Sequence, residues 1–168
     1  SDQKTGVLDG EGSLVKAYLM LYQITGKQEY RWYAERQFQY IEWVWEKTPY
    51  LDYMNGNAGA IVLAAELYRL VQSFKYLELS AQIEAKLWTQ ARKMGAGAGF
   101  SDEGEMPLAG MAHGNSGFLM AYAALLKMLE QAGDMDEKVR GYRRKEYQDK
   151  ILQLLSYEDS LYSEEQQN

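Results

Sequence analysis

The sequence predicts an all-α fold, an arc of about three helical hairpins, and three observations predict it. Apolar residues recur at spacings of three and four along nearly the whole chain, which is the helical period. No stretch alternates with period two between turn residues, and both prolines, Pro49 and Pro107, fall in apparent loops. Three segments open alike: Gly10-Glu11-Gly12-Ser13-Leu14, Gly56-Asn57-Ala58-Gly59-Ala60-Ile61 and Gly114-Asn115-Ser116-Gly117-Phe118-Leu119. A recurring opening of this kind marks an internal repeat of one supersecondary unit.

Each opening leads into an apolar helix, and each apolar helix is followed by a more charged one. In the first unit Leu14, Ala17, Leu21 and Ile24 share a predicted face, Thr25-Gly26-Lys27 breaks the helix, and residues 28–46 form its partner. In the second, Ile61, Ala64 or Ala65, Tyr68 and Val71 share the face, the break lies around residues 73–76, and the partner spans 77–93. In the third, Leu119, Ala123, Leu126 and Leu129 share it, Ala132-Gly133-Asp134 breaks the helix, and the partner spans 136–156. An apolar helix flanked by charged partners is best buried on both sides. A concentric α/α barrel and a linear α-solenoid both satisfy this, the Gly/Ala-rich helix starts favouring the barrel. Residues 95–111, from the run Gly95-Ala96-Gly97-Ala98-Gly99 onward, form the longest irregular stretch. That run follows a helix and not a strand, so it is no dinucleotide fingerprint. Trp32, Trp43, Trp45 and Trp88 fall on the outer helices, where large rings are expected to fill gaps between layers.

Composition narrows the function classes. A chain of 168 residues with 46% apolar content forms one domain with its own core, and no segment reaches the roughly 20 apolar residues of a membrane span. No basic region followed by an apolar one opens the chain, so a secretory signal is not expected and a cytoplasmic location is. With 24 acidic against 18 basic residues the net charge is −6, which speaks against nucleic acid as a partner. The one basic cluster, Arg140, Arg143, Arg144 and Lys145, reads as the solvated face of a helix. There is no cysteine and a single histidine, so no metal site is expected in this chain.

Two residues stand out as candidates for chemistry. His113, immediately before Gly114, sits at the mouth of an apolar helix, where an imidazole can accept and donate a proton near neutral pH. Orienting a helix start is its other role. Asp52 occupies the comparable place before Gly56; it is a cap or turn residue by type, but corresponding positions of stacked hairpins come together, which would bring it beside His113. A carboxylate there would orient the ring. The glycines themselves serve either close backbone approach or, through exposed N–H groups, anion binding.

The stretch Pro107-Leu108-Ala109-Gly110-Met111-Ala112-His113-Gly114-Asn115-Ser116-Gly117 resembles the Gly-Phe-Ala-His-Gly-x-x-Gly signature of lanthionine synthetase C-like proteins. Asp52 to Gly59 is similar to that family's Asp-x-x-x-Gly-x-Ala-Gly element. Ser156-Tyr157-Glu158-Asp159-Ser160-Leu161-Tyr162-Ser163 resembles the Tyr-Glu-Arg-x-Leu-Phe stretch of class II, bifunctional synthetases. The resemblance covers roughly residues 6–168. It implies a cyclase domain of lantibiotic (lanthipeptide) biosynthesis, in which a peptide cysteine adds to dehydroalanine or dehydrobutyrine to give a thioether. It makes His113 the acid/base residue and Asp52 its companion, with the dehydrated precursor peptide and the rest of the synthetase as partners. It also implies zinc, which the family holds through Trp-Cys and Cys-His-Gly motifs that this sequence does not contain. The expectation is therefore a partial barrel, a fragment without cofactor of its own and inactive alone, whose open apolar edges favour self-association. Two other classes compete. A carbohydrate-active α/α barrel would set Asp52 or Glu105 on a sugar-sized cleft. A non-catalytic helical repeat that binds a peptide or protein would need His113 only for local stability.

Overall fold

The computed structural model describes residues 3–101 and 105–165, and among these it contains six α-helices and one short β-hairpin. Helices α1 (Glu11–Thr25) and α2 (Gln28–Val44) form the first hairpin, α3 (Asn57–Val71) and α4 (Phe74–Trp88) the second, α5 (Asn115–Gln131) and α6 (Glu137–Glu165) the third. The first members touch in sequence, α1 against α3 and α3 against α5, and each partner helix packs on its own first member. This is the all-α arc expected from the repeat. The buried apolar residues of all six helices join in one core. No described helix is long and apolar enough to cross a membrane.

The breaks between paired helices are made as their residue types require. Gly26 caps α1 in the left-handed region at φ 67°, its N–H donating to Tyr22 O, where glycine carries no Cβ penalty. Gln72 does the same for α3 at φ 57°, so the second break falls at Gln72 and Ser73 and α4 begins before residue 77. That helix also ends before residue 93, because β1 (Arg92–Met94) pairs antiparallel with β2 (Gly97–Gly99) around a turn at Gly95 and Ala96. The hairpin corrects the strand-free reading of the irregular stretch. Strands of three residues are too short to show a period, and β2 consists of glycine and alanine because α6 lies directly on it. A Cβ on Gly97 would stand 2.6 Å from Tyr157 N.

The apolar faces are partly shifted from those expected. On α3, Ile61, Ala64 and Tyr68 are buried and Val71 half-buried, since this helix has neighbours on several sides. On α1 the packed residues are Gly12, Val15 and Leu19, while Leu14, Ala17, Leu21 and Ile24 are exposed. On α5 the packed stripe is Phe118, Ala121, Tyr122, Leu125, Met128 and Leu129, with Ala123 exposed and Leu119 and Leu126 half-buried. These helices are apolar nearly all round, so periodicity cannot choose the stripe; the neighbours present do.

Two further expectations are corrected. Trp45 is buried and Trp88 meets Phe100 and Tyr122 edge-on, but Trp32 and Trp43 are 53% and 73% exposed and fill no gap between layers. The basic cluster is only partly solvated. Arg140 is buried and donates to the Ala132 and Met135 carbonyls, closing the α5–α6 turn, while Arg143 pairs with Glu78 and Arg144 with Glu130. Lys145 is exposed as expected.

One buried polar group joins α4, α5 and α6. Lys150 Nζ lies 2.6 Å from Glu84 Oε1, which also accepts the Tyr122 hydroxyl at 2.7 Å. Burial, and then the Glu84 carboxylate, hold the Tyr122 hydroxyl protonated far above its ordinary range. Lys150→Met leaves the Glu84 charge buried and unpaired and is expected to cost about 3–5 kcal/mol. Replacing both residues by leucine should recover much of that loss in urea denaturation, and equal loss in both variants would contradict a charge-pairing role.

Candidate active site

The loops that precede α1, α3 and α5 lie edge to edge and are joined through their backbones. Thr5 N–H donates to Asn55 O (2.9 Å), Val7 N–H to Tyr53 O (3.1 Å) and Leu8 N–H to Met54 O (3.2 Å). On the other side Met54 N–H donates to Ala112 O (3.1 Å). Each loop also turns back on its own helix. Asn57 and Ala58 N–H donate to Tyr50 and Leu51 O, and Asn115 and Ser116 N–H donate to Leu108 and Ala109 O, at the same offset. The helix-start donors of α3 and α5 are thus spent on loop carbonyls, which supports close approach over anion binding as the purpose of the glycines. A Cβ on Gly59 would lie 2.3 Å from Tyr53 O, and one on Gly117 2.2 Å from Met111 O.

This stacking brings Asp52 and His113 together. His113 Nδ1 is 2.7 Å from Asp52 Oδ2, while Asp52 Oδ1 accepts the Asn55 N–H at 2.5 Å. The carboxylate side chain is 16% exposed and the imidazole 47%, so the ring is held on one edge and open on the other. The two residues do not occupy equivalent repeat positions. Asp52 O accepts the Gly56 N–H as Gly110 O accepts the Gly114 N–H, which makes Gly110 the counterpart of Asp52 and Asn55 that of His113. They meet because neighbouring loops lie side by side, not because the repeat superposes them.

The pair opens on a pocket of about 420 Å³. Asn55, Ser101 and Glu105 join Asp52 and His113 on its polar side, and Leu51, Met106, Leu108, Phe100 and Phe118 line the rest. The wall is pinned from behind by Arg92, which donates to Ser101 Oγ at 2.9 Å and to the Glu105 carbonyl.

Several supports of the site carried no signal of chemistry in the sequence. The Tyr157 hydroxyl donates to Pro107 O (3.0 Å), and Ser116 Oγ lies 2.6 Å from Glu158 Oε1 and 2.7 Å from Ala109 O. The Tyr157-Glu158 pair of α6 therefore braces the loop that ends in His113. Buried Asn57 and Asn115 do similar work: Asn57 Nδ2 donates to Trp45 O, and Asn115 Nδ2 to Ala98 and Leu154 O. The Gly-Asn pair common to the second and third openings was the available signal.

The donor set does not fit a zinc ion. Among the described residues no group of three or more His, Asp or Glu side chains is placed to hold a metal, the chain has no cysteine, and His113 Nδ1 is engaged by Asp52.

Gly117→Ala forces its Cβ onto Met111 O and is expected to destabilise the chain by about 2 kcal/mol or more. Gly133→Ala, with nothing within 4 Å of its Cβ position, should be close to neutral in the same urea titration. Equal stability of the two variants would contradict the close-packed loop.

The protein-family model for lanthionine synthetase C-like proteins matches residues 1–168. No curated protein and no solved structure matches the chain at a significant level. With its repeated glycine-started helices, its stacked loops and a family model matching from end to end, the chain belongs to the lanthionine synthetase C-like family.

Proposed function

We propose that this chain supplies the acid/base residues of a lanthionine-forming cyclase acting on a dehydrated precursor peptide in the cytoplasm. The observation that carries the reading is the 2.7 Å contact between His113 Nδ1 and Asp52 Oδ2 at an open pocket, in a chain of this family. In the reaction a peptide cysteine sulfur bonds to the β-carbon of dehydroalanine or dehydrobutyrine. The C=C electron pair moves toward the adjacent carbonyl as an enolate, which must gain a proton at the α-carbon. Asp52 engages Nδ1, so Nε2 is the nitrogen left for the substrate, and the imidazolium delivers its proton from there. Asp52 orients the ring and balances its positive charge. The thiol gives up its proton to solvent as it is activated for attack, and solvent returns one to the imidazole afterwards, so the net change is addition of S–H across the double bond.

The partners in this reading are the dehydrated peptide and the remainder of a synthetase that activates the thiol. An ordinary cysteine thiol, with a pKa near 8.5, is mostly protonated at neutral pH. The 168-residue chain alone is therefore expected to leave a dehydrated, cysteine-containing peptide uncyclised. Thioether formation by the purified chain, read by mass spectrometry after capping free thiols, would contradict this.

In a synthetase that contains this chain and cyclises its precursor, His113→Asn and Asp52→Asn are each expected to slow ring formation by about 10²- to 10⁴-fold. Peptide binding should change by about threefold or less. Wild-type rates in His113→Asn would withdraw the assignment and favour the non-catalytic binding module, in which this substitution affects only stability.

A carbohydrate-active enzyme is the second reading, because Asp52 and Glu105 both line the pocket as it requires. Against it, Asp52 is committed through both oxygens to Asn55 and His113. Release of reducing sugar from an oligosaccharide panel, abolished by Glu105→Gln, would favour it over the cyclase.

A further inference from the structure

The rim around His113 and Asp52 is apolar beyond what proton transfer requires. Met106 and Leu108 line the pocket and are each 56% exposed, and Met111, two residues before His113, is 50% exposed. Below the rim, Phe100 and Phe118 stack with centroids 4.0 Å apart and close the floor. Exposed apolar side chains gathered at the mouth of a pocket with a few polar groups mark a binding surface, not scatter. Methionine is unbranched and polarizable, so a surface built around Met106 adapts to apolar partners of different outline.

Resting on the acid/base reading above, we propose that this rim is a subsite for the apolar side chains that flank the dehydro residue of the substrate peptide. It selects for apolar character and not for one shape. Burial of one leucine- or phenylalanine-sized group on it is worth about tenfold or more in affinity. Glycine neighbours bring no surface to bury. Aspartate neighbours meet the carboxylates of Glu105 and Asp52 in the same pocket.

The test uses blocked pentapeptides with a central dehydroalanine flanked on both sides by Leu, Phe, Gly or Asp. They are titrated into the 168-residue chain labelled at its methionine methyls and at its single histidine. The Leu and Phe peptides are expected to bind within about threefold of each other and at least about tenfold more tightly than the Gly and Asp peptides. They should move the signals of Met106 and His113 and leave that of Met128, buried in the core, in place. Equal affinity for the Gly and Leu peptides, or no binding of the Leu peptide at millimolar concentration, overturns the proposal. A Met106→Ser/Leu108→Ser double variant, altered only at exposed loop positions, should keep its Tm within about 2 °C and bind the Leu peptide no better than the Gly peptide. Unchanged binding by that variant overturns the proposal as well. The two readings fail separately. Normal cyclisation by His113→Asn removes the acid/base role even where apolar selectivity holds, and lost selectivity beside His113-dependent cyclisation removes only the rim.

Discussion

Backbone against backbone is the contact on which this molecule depends. The loops ahead of α1, α3 and α5 pack so closely, on each other and on their helices, that a side chain at Gly59 or Gly117 would overlap a carbonyl six residues earlier. Hydrogen bonding is what makes such crowding favourable, because the helix-start N–H groups that would otherwise need caps are satisfied by loop carbonyls. No Ser, Thr or Asp side chain caps the first members of the hairpins. Glycine replaces the cap here, and the same economy draws the loops into a continuous lip.

That lip is rigid for a second reason. Behind it the end of α6 supplies Tyr157 and Glu158, and α6 is itself tied inward by the Lys150–Glu84 pair and by Arg140. A buried ion pair is weak evidence of stability but good evidence of a specified arrangement, since only one register of α4, α5 and α6 satisfies Lys150, Glu84 and Tyr122 together. The imidazole is thus presented by a loop held from the neighbouring loop on one side and from the last helix on the other.

The helical period made the hairpins legible, because it depends only on local spacing, and the thrice-repeated glycine opening exposed their register. The pairing of Asp52 with His113 was legible as a consequence of stacking, although the two turned out to be offset by three repeat positions. What was not legible has a common physical cause. The buried stripes of α1 and α5 depend on which neighbours are present, since both helices are apolar over most of their circumference. The hairpin from Arg92 to Gly99 is made by close approach of α6, which leaves no local pattern. Tyr157 and Asn115 act through carbonyl groups, and a carbonyl has no letter in the sequence, while Glu158 meets the hydroxyl of Ser116, a residue far from it along the chain.

The offset between Asp52 and His113 has a mechanical consequence. Each belongs to a different hairpin, so their separation is a property of the joint between hairpins and of neither one alone. Any influence that opens or tightens the angle between α3 and α5, however far from the pocket it acts, alters the distance between imidazole and carboxylate. The curvature of the arc is thereby coupled to the spacing of the pair, as the setting of a hinge is coupled to the closing of a latch.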